Sequence, residues 1–131
     1  MTILLVYIHL LLNLKNTSPP EHATFQELIT LYSLSDLLVT NDSGPVHFAS
    51  TTNLPVIALF GPETPKIFGP MSPHAKVISL GLACSPCISV FNQKKSSCTD
   101  NQCMKQITVE MVIQETQKKI KNYNVNIAWL K

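Results

Sequence analysis

With 131 residues, 45% of them apolar and 14% charged, the chain has room for one domain around one core, and this composition excludes a disordered chain. The formal charge of +2 comes from ten lysines against eight acids with no arginine. A nucleic-acid binder needs a denser basic surface, usually with arginine for bidentate contacts, so no nucleic-acid partner is expected.

The N-terminal stretch Met1–Asn13 is almost wholly apolar. It is too short to cross a bilayer, which takes about 20 residues. Nor does it read as a secretory leader, because Lys15 follows the apolar run instead of preceding it and no small-residue cleavage site comes after. It reads as a buried strand followed by a loop, residues 1–22, and a cytoplasmic protein follows. Residues 23–131 read as the α/β unit proper. Thr24-x-x-Glu27 is a capping box, and Phe25, Leu28, Ile29 and Tyr32 repeat at helical spacing, so a helix starts here and ends near Ser33–Asp36.

Leu37–Thr40 is a short continuous apolar run, the mark of a strand covered on both faces. Asn41-Asp42-Ser43-Gly44-Pro45 stops it, and Pro45 suits the first turn of a helix over Val46–Thr52 that Asn53 closes. Pro55–Phe60 is a second buried strand, ended by Gly61-Pro62, and Lys76–Leu80 is a third beyond a loop carrying Pro65, Pro70 and Pro73. Strands alternating with helices predict a parallel, Rossmann-like sheet. Residues 81–106 have no period and carry all four cysteines. Thr108 caps a last helix to about residue 122, with Val109, Val112, Ile113, Thr116 and Ile120 on one face and Lys118, Lys119 and Lys121 at its solvated end.

The turn between the first two inner strands carries chemistry. A strand running through Asp-Ser-Gly into a helix presents unpaired backbone N–H groups to an anion. Gly44 lets the backbone approach a phosphate and tolerates positive φ, Ser43 offers a hydroxyl, and His47, one turn on, points back and can donate to a diphosphate oxygen. The Asp42 carboxylate would repel a phosphate, so it orients loop amides or accepts from a sugar or ribose hydroxyl. The plainer alternative is that Asp42 or Ser43 caps the helix and His47 is a packed polar residue. Thr64 and Lys66 follow the second strand at its carboxyl end, where open α/β sheets bind ligands, although Lys66 reads as a solvated lysine. His74, Lys94 and Lys95 read as ordinary surface residues.

The strings Ser35–Ser50 (SDLLVTNDSGPVHFAS) and Pro55–Pro65 (PVIALFGPETP) resemble the signature of glycosyltransferase family 9, which contains the ADP-heptose:lipopolysaccharide heptosyltransferases. The resemblance runs from about Phe25 to Val112 and implies the C-terminal, donor-binding half of a GT-B fold, incomplete at its start. It places Asn41, Asp42, Ser43, Gly44, Pro45, His47 and Thr64 against the diphosphate of a nucleotide-sugar donor. It also implies a metal-independent, inverting transfer to a lipopolysaccharide-core or related glycan acceptor, with no cofactor. The family's general base belongs to an N-terminal acceptor domain, so no catalytic residue is assigned in this chain. The chain is therefore expected to be a fragment, inactive alone, whose glycan or lipid-linked acceptor would come through that other domain, peripheral to the cytoplasmic membrane face.

Cys84-x2-Cys87 and Cys98-x4-Cys103 have spacings that can close a tetrahedral structural zinc site, and the cysteine-rich tail looks like a subset of the same family. Disulfides, disfavoured in the cytosol, and free thiols are the other readings. Two alternatives to a donor-binding domain remain: a non-catalytic, cysteine-anchored interaction module, and another GT-B-shaped enzyme such as a nucleotide-sugar epimerase.

Overall fold

The computed structural model describes residues 6–7 and 24–122; apart from Val6–Tyr7, the strand and loop expected over residues 1–22 lie outside the described residues, as does the chain after Asn122. The elements are β1 (Val6–Tyr7), α1 (Phe25–Ser33), β2 (Leu38–Asn41), α2 (Gly44–Ala49), β3 (Val56–Phe60), α3 (Pro65–Phe68), β4 (Ala75–Ser79), a 3₁₀ turn (Val90–Asn92), α4 (Gln102–Lys105) and α5 (Val109–Asn122). They form one four-stranded sheet in the order β1-β2-β3-β4.

β2, β3 and β4 are parallel, with Val39 opposite Ile57 and Ala58 opposite Val77. This is the α/β sheet that the alternation of apolar runs predicts. β1 departs from it by pairing antiparallel, Val6 opposite Val39. Edge pairing uses only backbone groups, and an antiparallel edge on a parallel sheet is a common way to finish one.

Side chains alternate along β3 into two cores. Val56, Ala58 and Phe60 join Leu38, Tyr32, Val46, Ala49 and Leu54 on the face covered by α1 and α2. Ile57, with Leu37 and Ile78, faces the other way, against Met111 and Val112 of α5 and Ile107 before it. Both faces of β3 are thus sealed, which is why its sequence shows no polar alternation.

The capping box at Thr24 forms in full: the Glu27 carboxylate accepts from the Thr24 N–H at 2.7 Å, and the Thr24 hydroxyl accepts from the Glu27 N–H at 3.3 Å. The expected α1 stripe is core at Tyr32, with Leu28 packed against it. Tyr32 is buried, whereas Phe25 is 56% exposed and meets Phe48 of α2 edge-on, with ring centroids 5.2 Å apart. In α5 the expected face holds at Val112 and Ile120, with Met111 added to it. Val109 and Ile113 are exposed, and Met111, Val112 and Ile120 are the residues that pack. Nor are its lysines all solvated: Lys119 donates to the His74 carbonyl at 2.8 Å, tying the helix to the start of β4. Among the described residues no helix is long and apolar enough to cross a membrane.

Candidate functional site: the loop at the carboxyl end of β2

β2 ends at Asn41, and the Asp42 N–H still donates to the Leu59 carbonyl at 3.0 Å, so the chain leaves the sheet at a fixed point beside β3. Ser43 then takes the N-cap position of α2 in an extended conformation, but its side chain makes no cap bond. Its hydroxyl turns back and donates to the Asn41 side-chain oxygen at 3.2 Å. Capping by Ser43, one of the alternatives for this loop, is therefore not what the structure has. In this first turn Pro45 has no N–H and the Val46 N–H donates to the Ser43 carbonyl at 3.1 Å, so the Gly44 amide is the one left for another partner.

Gly44 is the first residue of α2, and its backbone is not in the positive-φ region; among the described glycines only Gly81 is. The conformational reason for a glycine is thus corrected to one of space. A Cβ at Gly44 would meet only the edge of the Phe48 ring, at 3.4 Å. Pro45 stands in the first turn, where its missing N–H costs no bond. His47 is exposed and close enough to Asp42 for its charge to favour the Asp42 carboxylate. His47 is thus no packed core residue.

Asp42 is half-buried and its carboxyl is held above the ordinary aspartate range. The first cause is desolvation and the second is the Glu63 carboxylate; His47 and Lys94 pull the other way. Glu63 and Lys94 were not marked by spacing. Glu63 lies in the string after β3, only 13% exposed at its side chain, and Lys94 Nζ reaches its Oε2 at 3.3 Å. Lys94 is on the surface, as expected, with its side chain 55% exposed. It also sits 4.7 Å from the centroid of the Phe68 ring. Gln93 and Lys94 both have positive φ (55° and 57°), a backbone turn that nothing in their residue types announces. Thr64 caps α3, its hydroxyl accepting from the Lys66 N–H at 3.3 Å, while Lys66 is exposed.

The cysteine-rich segment is the wall beside this loop. The Cys87 and Ile88 N–H groups both donate to the Pro62 carbonyl, at 2.9 and 3.0 Å, and the Ser85 hydroxyl donates to the Gly61 carbonyl. α4 packs on the end of β3, where a Cβ on Gly61 would stand 2.5 Å from Met104 Cγ. All four thiols are free. Three of them are linked: the Ser96 hydroxyl donates to Cys87 Sγ at 3.3 Å and accepts from the Cys98 N–H at 3.1 Å. Cys98 Sγ in turn accepts from the Asn101 N–H at 3.3 Å, and Cys103 Sγ donates to Asn101 Oδ1 at 3.4 Å. Among the described residues no group of three His, Cys, Asp or Glu side chains is placed to hold a metal ion. Cys84, Cys87 and Cys98 nonetheless stand close enough to Cys103 to act on its thiol.

A cavity of about 400 Å³, lined by Ile29, Tyr32, Ser33, Thr51, Asn53 and Pro55, lies at the amino end of β3, away from the loop. It brings no catalytic pair together, so size and chemistry point to opposite ends of the sheet. The chemistry, at the carboxyl ends of parallel strands, is the better guide.

Residues 21–98 match glycosyltransferase family 9 (heptosyltransferase), a span that includes the whole loop, Glu63 and Lys94. The chain is 33% identical over 114 residues to lipooligosaccharide heptosyltransferase 2 of Campylobacter jejuni, covering 84% of this chain and 34% of that protein. It is 41% identical over 54 residues to lipopolysaccharide heptosyltransferase 2 of Escherichia coli K12, covering 41% of this chain and 16% of that protein. The structure of E. coli ADP-heptose LPS heptosyltransferase II superposes with a TM-score of 0.60 at 27% identity, over 78% of this chain and 27% of that one. The chain thus spans about a third or less of the length of the relatives it matches. With its sheet, its loop and its sequence all agreeing, the chain belongs to glycosyltransferase family 9, the heptosyltransferase family, and has the α/β fold of its structural neighbour.

Proposed function

We propose that this chain binds the donor in a family 9 glycosyl transfer, taking the diphosphate of an ADP-heptose-type nucleotide sugar on the Asn41–His47 loop. The observation that carries this reading is the start of α2. The Ser43 hydroxyl is spent on Asn41, so no side chain caps the helix, and Gly44 leaves its amide open to an approaching phosphate. His47 stands one turn on, exposed, as a second donor.

In this reading an acceptor hydroxyl of a lipopolysaccharide core attacks the anomeric carbon as the bond to the diphosphate breaks. Negative charge grows on the departing nucleoside diphosphate, and the loop amides, Ser43 and His47 are set to stabilise it. Asp42, whose charge opposes a phosphate, faces the sugar or ribose hydroxyls instead. The groups that hold the acceptor and take its proton are assigned to no residue of this chain, and the transfer needs no metal in the loop. The cysteine-rich segment supports the loop from the side and has no role in the transfer. The setting is cytoplasmic, where nucleotide sugars are made, at the face of the membrane that carries the acceptor.

Titration calorimetry with ADP tests it. Binding to the unaltered chain and at least tenfold weaker binding to His47→Ala, about 1.4 kcal/mol, are expected. Equal affinity in both proteins removes His47 from the site, and no binding to either overturns the reading.

A further inference from the structure

Beside the loop stand two aromatic side chains that belong to neither core. Phe25 opens α1, and Phe48 lies in α2 one residue beyond His47. Phe25 is 56% exposed and Phe48 is 38% exposed. Their ring centroids are 5.2 Å apart at an interplanar angle of 82°, an edge-to-face contact that occupies only one ring face. The edge of the Phe48 ring also comes within 3.4 Å of the position a Cβ would take on Gly44. The pair therefore borders the amide that the start of α2 leaves for a ligand. A single exposed Phe would need no explanation. Two in contact at the edge of a ligand loop make a platform that is flat, rigid and without a hydrogen-bonding group.

We propose that Phe25 and Phe48 form the platform on which the base of the donor nucleotide stacks. The inference rests on the donor-site reading and deepens it. With the diphosphate at Gly44, the ribose passes Phe48, and the base, one sugar further on, lies against the rings. Stacking is favourable because base and ring are both flat and leave water together, and every base has a face that can take part. Neither ring carries a donor or an acceptor, so the platform reads stacking area and not the pattern along the edge of the base. A purine offers more of that area than a pyrimidine. The chain should accordingly bind ADP and GDP alike, and both more tightly than UDP or CDP. Phe25 thus keeps the helical spacing of the α1 stripe but meets Phe48 and solvent in place of the core.

Titration calorimetry on the intact chain tests it with ADP, UDP and methyl diphosphate, which carries the phosphates without the nucleoside. ADP is expected to bind about tenfold more tightly than methyl diphosphate, the scale of one stacked base, and more tightly than UDP. Phe48→Leu keeps an apolar side chain outside the core, so the fold should survive it. It should weaken ADP by about tenfold, leave methyl diphosphate unchanged and erase the preference over UDP. Phe48→Tyr keeps the ring and should keep the affinity, and Phe25→Leu should weaken ADP several-fold. In the ADP complex, nuclear Overhauser contacts are expected from adenine H2 and H8 to the Phe48 ring protons. Their absence overturns the inference, as does ADP binding no tighter than methyl diphosphate. Equal losses of both ligands in Phe48→Leu overturn it too, because the ring then only shapes the loop. In each of these cases the diphosphate still binds and the donor-site reading stands. No binding of either ADP or methyl diphosphate overturns the donor-site reading and the platform with it.

Discussion

The Ser43 hydroxyl donates to the Asn41 side-chain oxygen at 3.2 Å instead of capping the helix it precedes. A Ser at an N-cap normally contributes about 0.5–2 kcal/mol by accepting from the helix amides, and this one does not. Ser43→Ala is therefore expected to change unfolding free energy by less than about 0.5 kcal/mol in a urea titration, the range of a surface substitution. The same variant should weaken ADP binding several-fold. A large loss of stability with unchanged binding would make the loop an ordinary cap.

Gly44 separates space from conformation. Its backbone is helical, so Gly44→Ala and Gly44→Val both suit the local φ, and the Phe48 ring edge at 3.4 Å is the only neighbour a Cβ meets. Both variants should fold, with circular dichroism unchanged. ADP affinity should fall in the order Gly, Ala, Val, by about tenfold or more for Val, because the added atoms stand where a phosphate approaches.

Gly61 does the opposite work. A Cβ there runs into Met104 and comes within 3.2 Å of Cys103 Sγ, so Gly61→Ala should destabilise the chain by about 1–3 kcal/mol through overpacking. Met104 is a flexible side chain, and Gly61→Ala with Met104→Ala should recover part of that loss in thermal melts. No recovery would mean that Cys103, not Met104, resists the change.

The pH dependence of stability has two signs. Glu27 is held below the ordinary carboxylate range by its hydrogen bonds to Thr24, so the stability it contributes is present above its unfolded pKa and is lost as pH falls through its folded pKa. Asp42 is held above its range, so folding favours its protonated form; that contribution is fully present below the unfolded pKa and is lost as pH rises through the folded one. Asp42→Asn should accordingly melt higher than the unaltered chain at neutral pH, with the gap closing in acid. A lower melting temperature at pH 7 would contradict the burial argument.

The four thiols should react at different rates. Cys98 is exposed and its thiol is drawn below its ordinary pKa by the Asn101 and Asp100 N–H groups, whereas burial and the neighbouring sulfurs push Cys103 up. Alkylation of the reduced chain at neutral pH, read by mass spectrometry, should label Cys98 first and Cys103 last. Elemental analysis should find less than one equivalent of zinc. A full equivalent removed by a chelator, with all four thiols protected until then, would show that the segment closes around a metal.

The skeleton of the fold was legible because its signals are local. The capping box at Thr24, the unbroken apolar runs of β2 and β3 and the proline at the start of α2 each name their own element. The loop was legible for the same reason. What could not be read depends on distant partners. The edge of the face that α5 buries is chosen by the β3–β4 surface it lands on, so Met111 joins Val112 and Ile120 while Val109 and Ile113 stay exposed. Glu63 and Lys94 are 31 residues apart and meet only because two left-handed residues turn the cysteine-rich loop back toward β3. Four cysteines suggest a metal by spacing alone, but spacing says nothing of where Ser96 and Asn101 insert between the sulfurs.

Hydrogen exchange with and without ADP, followed by mass spectrometry, tests the central claim most directly because it locates the nucleotide. The account predicts slowed exchange in peptides covering Asn41–Phe48 and Gly61–Lys66, with no change around Thr51–Leu54 at the other end of the sheet. Unchanged exchange across Asn41–Phe48 at saturating ADP, or protection centred on the Tyr32–Asn53 cavity, would contradict it.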